Sequence, residues 1–206
     1  MAFTMTDVQR ALALERADER QGWTLKSKSN DEEYWYLIDY TKQVPLHMKC
    51  RLQLTGVPVE AAVDLLTEPD LRNQWDGKSF EMKTLAENGK YRTVYWIFHM
   101  PVIMKERDMV QYAHVQYVPA EDCYVILYKE GEHASTPETD RFIRMRTGFS
   151  CSVLRRDPTD PKSSVLFTLG NNFYGGWLPD MIMPTLYARS LGKLRQRLIR
   201  GYQKYY

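Results

Sequence analysis

The sequence predicts an α+β fold in which a curved antiparallel sheet grips a long C-terminal α-helix. Three observations carry that prediction. Short stretches rich in β-formers recur through most of the chain, two helical patterns interrupt them after Gly56, and a broad apolar stripe at helical spacing runs from Met181 to Tyr202. At 206 residues the chain suits one domain, residues 1–206, with an interior large enough to hold a cavity.

Thr4 or Thr6 caps an opening helix whose narrow stripe is Val8, Ala11 and Leu12, and Gly22 marks its end. Polar turns then separate three strands at Trp23–Ser27, Tyr34–Tyr40 and Pro45–Thr55. Pro58 fits the first turn of a helix carrying Val59, Ala62, Val63 and Leu66, and Pro69 opens a second short helix that contains Arg72 to Asp76. Further strands follow at Tyr91–Phe98, Asp108–Val118, Cys123–Glu130, Phe142–Leu154 and Ser164–Asn171. Gly175, Gly176 and Pro179 break the chain before the last helix, whose stripe is Met181, Ile182, Leu186, Leu191, Leu194, Leu198, Ile199 and Tyr202. Sheet face and helix stripe are both apolar, so the space between them either packs solid or encloses an apolar ligand.

Composition narrows the function. The three cysteines, Cys50, Cys123 and Cys151, match neither a disulfide framework nor a zinc knuckle, and are expected to be reduced thiols of a cytoplasmic protein. There is no run of about 18 apolar residues and no basic stretch leading into an apolar core at the start, so neither a membrane span nor a signal peptide is expected. The net charge of +2 is uneven: from Asp180 onward six cations face one acid, +5, against −3 for the remainder. A basic terminal helix of this kind is either a solvated face or a surface for anionic lipid heads or nucleic acid.

Catalytic chemistry finds no support. His47, His99, His114 and His133 are scattered, without HExxH spacing or a cysteine beside them, and the glycines form neither a Walker loop nor a dinucleotide fingerprint. No catalytic residue, metal ligand or cofactor is assigned, and the chain is not read as an enzyme.

One short segment stands out: Arg72-Asn-Gln-Trp-Asp76 puts a guanidinium and a carboxylate at i,i+4 beside a large aromatic. By itself this is a surface ion pair worth at most about 1 kcal/mol. In order along the chain it is followed by VYW at Val94–Trp96, a proline loop leading into Arg107-Asp108, FIR at Phe142–Arg144, and GGWLP at Gly175–Pro179 before the last helix. This series resembles the START lipid-transfer domains over nearly the whole chain, and within them the phosphatidylcholine-transfer branch.

The resemblance implies a helix-grip fold, of the START and Bet v 1 kind, around a tunnel for one lipid. It implies that Arg72 meets the lipid phosphate, that Asp76 orients Arg72, and that Trp96 holds a choline group by cation–π contact. Two tyrosines of the family's choline cage fall on Met109 and Gly148, which leaves a phospholipid of another headgroup open. The charged pair of the sterol carriers falls on Val94 and Ala113, which cannot supply it. Arg107 and Arg144 match recurrent arginines that either line the cavity or make structural salt bridges. The apolar loop Pro101, Val102, Ile103 and Met104 is the implied gate, either a cap over the tunnel or a tip that dips into a bilayer. The expectation is a monomeric, cytoplasmic, non-enzymatic carrier of a single lipid with transient membrane contact and no nucleic-acid partner. Its alternatives are a sterol or ceramide carrier, a lipid-sensing regulatory module, and a cyclase or hydrolase on the related fold.

Overall fold

The computed structural model describes residues 3–77, 80–100, 104–176, 185 and 193–206. Helix α1 (Met5–Arg16) is followed by β1 (Thr24–Lys28), β2 (Glu32–Ile38) and β3 (Leu46–Leu54). Two short helices, α2 (Val59–Thr67) and α3 (Pro69–Asp76), lead into β4 (Phe80–Asn88), β5 (Tyr91–Phe98), β6 (Arg107–Val118) and β7 (Cys123–Glu130). Two-residue pieces β8 (Ile143–Arg144) and β9 (Arg146–Thr147) precede β10 (Ser150–Arg156), β11 (Ser164–Gly170) and β12 (Asn172–Phe173). The described part of the last helix, α4, spans Leu194–Tyr205.

The main sheet runs β1-β2-β3-β11-β10-β7-β6-β5-β4, antiparallel at each step, with β8 added parallel to β6. β9 and β12 pair apart from it. Successive side chains of a strand point to opposite faces, and here both faces are covered. Val125 and Leu127 of β7, with Cys151 and Val153 of β10, pack with Val8, Ala11 and Leu12 of α1. Ile126 and Leu154, pointing the other way, pack with Leu52, Leu65, Leu166 and Leu198 under α2 and α4.

The caps explain the helix starts. Thr4, the first of the two threonines, forms a capping box with Asp7: its Oγ1 accepts from Asp7 N and its own N donates to Asp7 Oδ2 at 2.8 Å. Pro58 sits just before α2 and Pro69 at the first position of α3, where a missing N–H costs nothing. Gly201 lets α4 lie against α3, since a Cβ there would come within 3.1 Å of Trp75.

Three features differ from the sequence reading. α1 ends at Arg16 rather than at Gly22, because a separate short turn, Glu19–Gln21, capped by Asp18 and closed by Gly22, follows it. β4 was not expected: beyond Phe80 and Met82 its side chains are largely exposed, so this edge strand lacks the alternation that marks its neighbours. The single strand expected at Phe142–Leu154 is divided into β8, β9 and β10, because the chain leaves β6 after Arg144 and turns at Gly148 to pair with β7 and β11. The stripe positions Met181, Ile182, Leu186 and Leu191 lie outside the described residues. All three cysteines are buried free thiols, and burial pushes Cys151 up to about 12 and raises Cys50 as well. Among the described residues no helix is long and apolar enough to cross a membrane, and no cluster of metal-binding side chains occurs.

Candidate functional site

Helix α3 is pinned by its own polar side chains. Asn73 makes a two-way bridge to β4, donating Nδ2 to Met82 O at 2.9 Å and accepting from Met82 N at 2.7 Å. Trp75 Nε1 donates to Leu65 O of α2 at 2.9 Å. Between these anchored residues and the start of the helix, Arg72 is buried rather than turned into solvent.

There Arg72 Nη2 lies 3.1 Å from Asp76 Oδ2, and the two side chains are only 10% and 1% exposed. Asp76 Oδ1 accepts from Arg197 Nη1 of α4, so one carboxylate ties the last helix to α3. The Arg72 guanidinium lies 4.3 Å from the Trp75 ring centre and 4.8 Å from that of Phe80. Burial pulls its pKa below the ordinary arginine range, with Asp76 acting in the opposite sense. Arg72 Nε is buried and finds no hydrogen-bond acceptor among the described residues.

Trp96 of β5 forms the neighbouring wall. Its register partners are Met82 and Met109, and its ring packs on Phe80 (5.1 Å, near-perpendicular), Phe98 (6.4 Å, near-parallel) and Tyr128 (6.5 Å, near-perpendicular). Trp96 Nε1 likewise has no acceptor among the described residues. Arg72, Trp96 and Met109 line a cavity of about 180 Å³ together with the apolar side chains of Phe80, Phe98, Tyr128 and Leu194. Gln111, Ser150, Ser152, Thr168 and Asn172 supply a polar side. A second cavity of about 250 Å³ lies toward α2, with Val63, Met82, Val94, Ala113 and Ile126 as its apolar lining and Asp64, Glu68, Lys90 and Arg92 as its charged lining, and it shares Tyr128 with the first. Val94 and Ala113 thus border this space without offering a charge of their own. Burial raises the Tyr128 hydroxyl pKa, and the charge of Arg72 opposes that rise.

The remaining sequence-selected residues take different places. Met109 accepts at Sδ from Thr147 Oγ1, which in turn accepts from Gln111 Nε2. Gly148 admits the side chain of Asn171: a Cβ there would stand 1.7 Å from Asn171 Oδ1, so no larger residue fits. Arg144 makes a two-pronged pair with Asp108 at 2.8 Å on both contacts, and Tyr95 donates to the same carboxylate. Arg107 is buried and donates to the backbone carbonyls of Lys105 and Tyr174. Neither arginine is among the side chains lining the two cavities. Of the loop at Pro101, Val102, Ile103 and Met104, the first three lie outside the described residues and Met104 is half-buried. At its base His99 Nδ1 lies 2.8 Å from Glu106 Oε1.

Sequence reasoning missed Phe80, Phe98, Tyr128, Gln111 and Asn172 as lining residues. Phe98 had a usable signal, standing two places beyond Trp96 on the same strand face. Phe80 and Asn172 had none, because the register and the sheet closure that bring them to the cavity are tertiary.

A model of the START domain family matches residues 4–205. Mouse START domain-containing protein 10 is 23% identical over 158 residues, covering 70% of this chain and 53% of its own length. Human "StAR-related lipid transfer protein 7, mitochondrial" is 24% identical over 103 residues, 49% of this chain and 28% of that protein. The chain therefore spans about half the length, or less, of the curated relatives it matches. Among solved structures, human STARD10 superposes with a TM-score of 0.87 at 20% identity, covering 100% of this chain and 82% of that one. Human StAR-related lipid transfer protein 5 does so with 0.78 at 17%, covering 98% and 99%. At these identities the structural likeness speaks for the fold alone.

Proposed function

Since this chain belongs to the START domain family, we propose that it binds one phosphate-bearing lipid beneath α2 and α4 and carries it between membranes without altering it chemically. The observation that supports this reading most is the pairing of two buried, unmet donors, Arg72 Nε and Trp96 Nε1, on one cavity wall. Each such donor costs about 1–3 kcal/mol when left unpaired. A phosphate oxygen accepts from both, and a guanidinium held by its own carboxylate presents a prearranged fork to it.

In this reading Asp76 orients Arg72 and limits the cost of keeping it buried, while Phe80, Phe98 and Tyr128 exclude water around the headgroup. The acyl chains run along the apolar surface beneath α2, and each buried CH₂ contributes about 0.8 kcal/mol. Cavities of about 180 and 250 Å³ are smaller than a two-chain lipid requires, so loading separates α4 from the sheet. The segment Pro101–Met104 acts as the gate at the membrane surface, and the bond from Arg197 to Asp76 keeps α4 anchored to α3 as the space opens.

Native mass spectrometry of the purified chain, with extraction of what it carries, tests the reading together with transfer of fluorescent phospholipid between vesicles. A single co-purified phospholipid and measurable transfer are expected. Binding of a sterol in place of phospholipid, or neither binding nor transfer, overturns it; binding without transfer marks a lipid-sensing module.

A further inference from the structure

The cavity wall carries a third buried polar atom without a partner among the described residues, Asn172 Oδ1. Unlike Arg72 Nε and Trp96 Nε1 it is an acceptor, and a phosphate cannot satisfy it. None of the polar side chains lining the cavity is bonded to it. Ser152 Oγ donates to Thr168 Oγ1 at 2.9 Å, Gln111 Nε2 donates to Thr147 Oγ1 at 3.1 Å, and Ser150 Oγ accepts from Asn171 N at 3.0 Å. The backbone under Asn172 is held firmly, paired with Thr147 in β9, while the neighbouring Asn171 donates Nδ2 to both Val44 O and Leu46 O at 2.9 Å. Asn172 Oδ1 thus shares one cavity lining with two unmet donors, Arg72 Nε and Trp96 Nε1.

We propose, building on the phospholipid reading above, that this cavity selects headgroups bearing N–H or O–H donors, such as a primary ammonium, over the quaternary ammonium of choline. A quaternary ammonium has no hydrogen to give Asn172 Oδ1 and depends on enclosing aromatic faces. Met109, beside Trp96, is not aromatic, and no ring can stand at Gly148 while Asn171 occupies its place. A primary ammonium donates to Asn172 Oδ1 while its phosphate accepts from Arg72 and Trp96, so all three buried atoms are satisfied at once. A site that holds an unmet acceptor rejects a ligand that cannot donate.

The test offers the full chain vesicles containing equal amounts of phosphatidylethanolamine and phosphatidylcholine with identical acyl chains, then quantifies both lipids on the recovered protein by mass spectrometry. The expected ethanolamine-to-choline ratio is about tenfold or more. Asn172→Leu is expected to bring the ratio near unity, and Asn172→Asp, which keeps an acceptor, to preserve or raise it. The ratio is read on protein that has bound lipid, so loss of folded protein does not mimic the effect. A wild-type ratio near unity or favouring choline overturns the inference while leaving the phospholipid reading intact, and so does an unchanged preference in Asn172→Leu. Uptake of neither lipid by the wild type overturns both.

Discussion

Arg72 and Asp76, one helical turn apart in α3, form an ion pair at 3.1 Å that is buried rather than exposed, and the same carboxylate also bonds Arg197 of α4. Asp76 therefore serves two guanidiniums. Removing either partner of a buried pair usually costs about 3–5 kcal/mol because it leaves a charge unmatched. Here the two partners are not equivalent. Arg72→Met leaves Asp76 with Arg197, and its cost is expected below about 3 kcal/mol. Asp76→Ala takes the carboxylate from both arginines and is expected to destabilise more. Urea unfolding of the two variants checks the order, and vesicle uptake checks that Arg72→Met loses phospholipid binding while still folded.

Trp96→Phe separates the indole N–H from the ring. The substitution keeps an aromatic side chain against Phe80 and Tyr128 and deletes a buried donor that has no acceptor among the described residues. Stability without ligand is expected to fall by about 1–2 kcal/mol, because the smaller ring leaves part of the indole's buried volume unfilled. Phospholipid uptake is expected to fall several-fold, because a hydrogen bond to a charged oxygen is worth about 1.5–3 kcal/mol. Equal uptake by both proteins would assign Trp96 to packing alone.

Gly148→Ala should be severe for its size. The added Cβ would meet Asn171 Oδ1 at 1.7 Å, and Asn171 cannot move without releasing Val44 O and Leu46 O. Two buried carbonyls would lose their donor, so a loss of about 2–4 kcal/mol is expected. A thermal melt of the variant measures it; a change under about 0.5 kcal/mol would mean that this segment relaxes freely.

Lys49 gives the sheet face under α1 a pH dependence. Its ammonium donates to Leu14 O and Ala17 O at the C-terminal end of α1 and lies 4.2 Å from the Trp23 ring centre. Burial holds its pKa down to about 8, below the ordinary 10.5. Between those values the unfolded chain binds the proton more tightly than the folded one, so the contribution of Lys49 to stability rises with pH from about 8 to about 10.5. Unfolding midpoints of wild type and Lys49→Met at pH 7.5 and 9.5 isolate this contribution. The difference, wild type minus variant, is expected to grow at the higher pH, and a constant or shrinking difference counts against it.

Much of the fold was legible because its signals are local. Pro58 and Pro69 mark the starts of α2 and α3, and alternating runs such as Tyr91–Phe98 and Cys123–Glu130 match β5 and β7 residue for residue. β4 was illegible for the converse reason: an edge strand buries little beyond Phe80 and Met82, so its sequence carries almost no period. The break at Gly148 was equally hidden, since it depends on the side chain of Asn171, which lies between β11 and β12, 23 residues further along the chain.

For the candidate site, the sequence by itself determined that an arginine and a carboxylate share one face of α3, because helix geometry sets neighbours four residues apart without reference to anything else. Only the tertiary structure decided that the pair is buried, that Arg197 joins it from 121 residues away, and that Trp96, Phe80, Tyr128 and Asn172 meet around the same cavity. Those relations depend on strand register and on how α4 docks against α3. Both are settled by burial summed over the whole chain, which no short window of sequence contains.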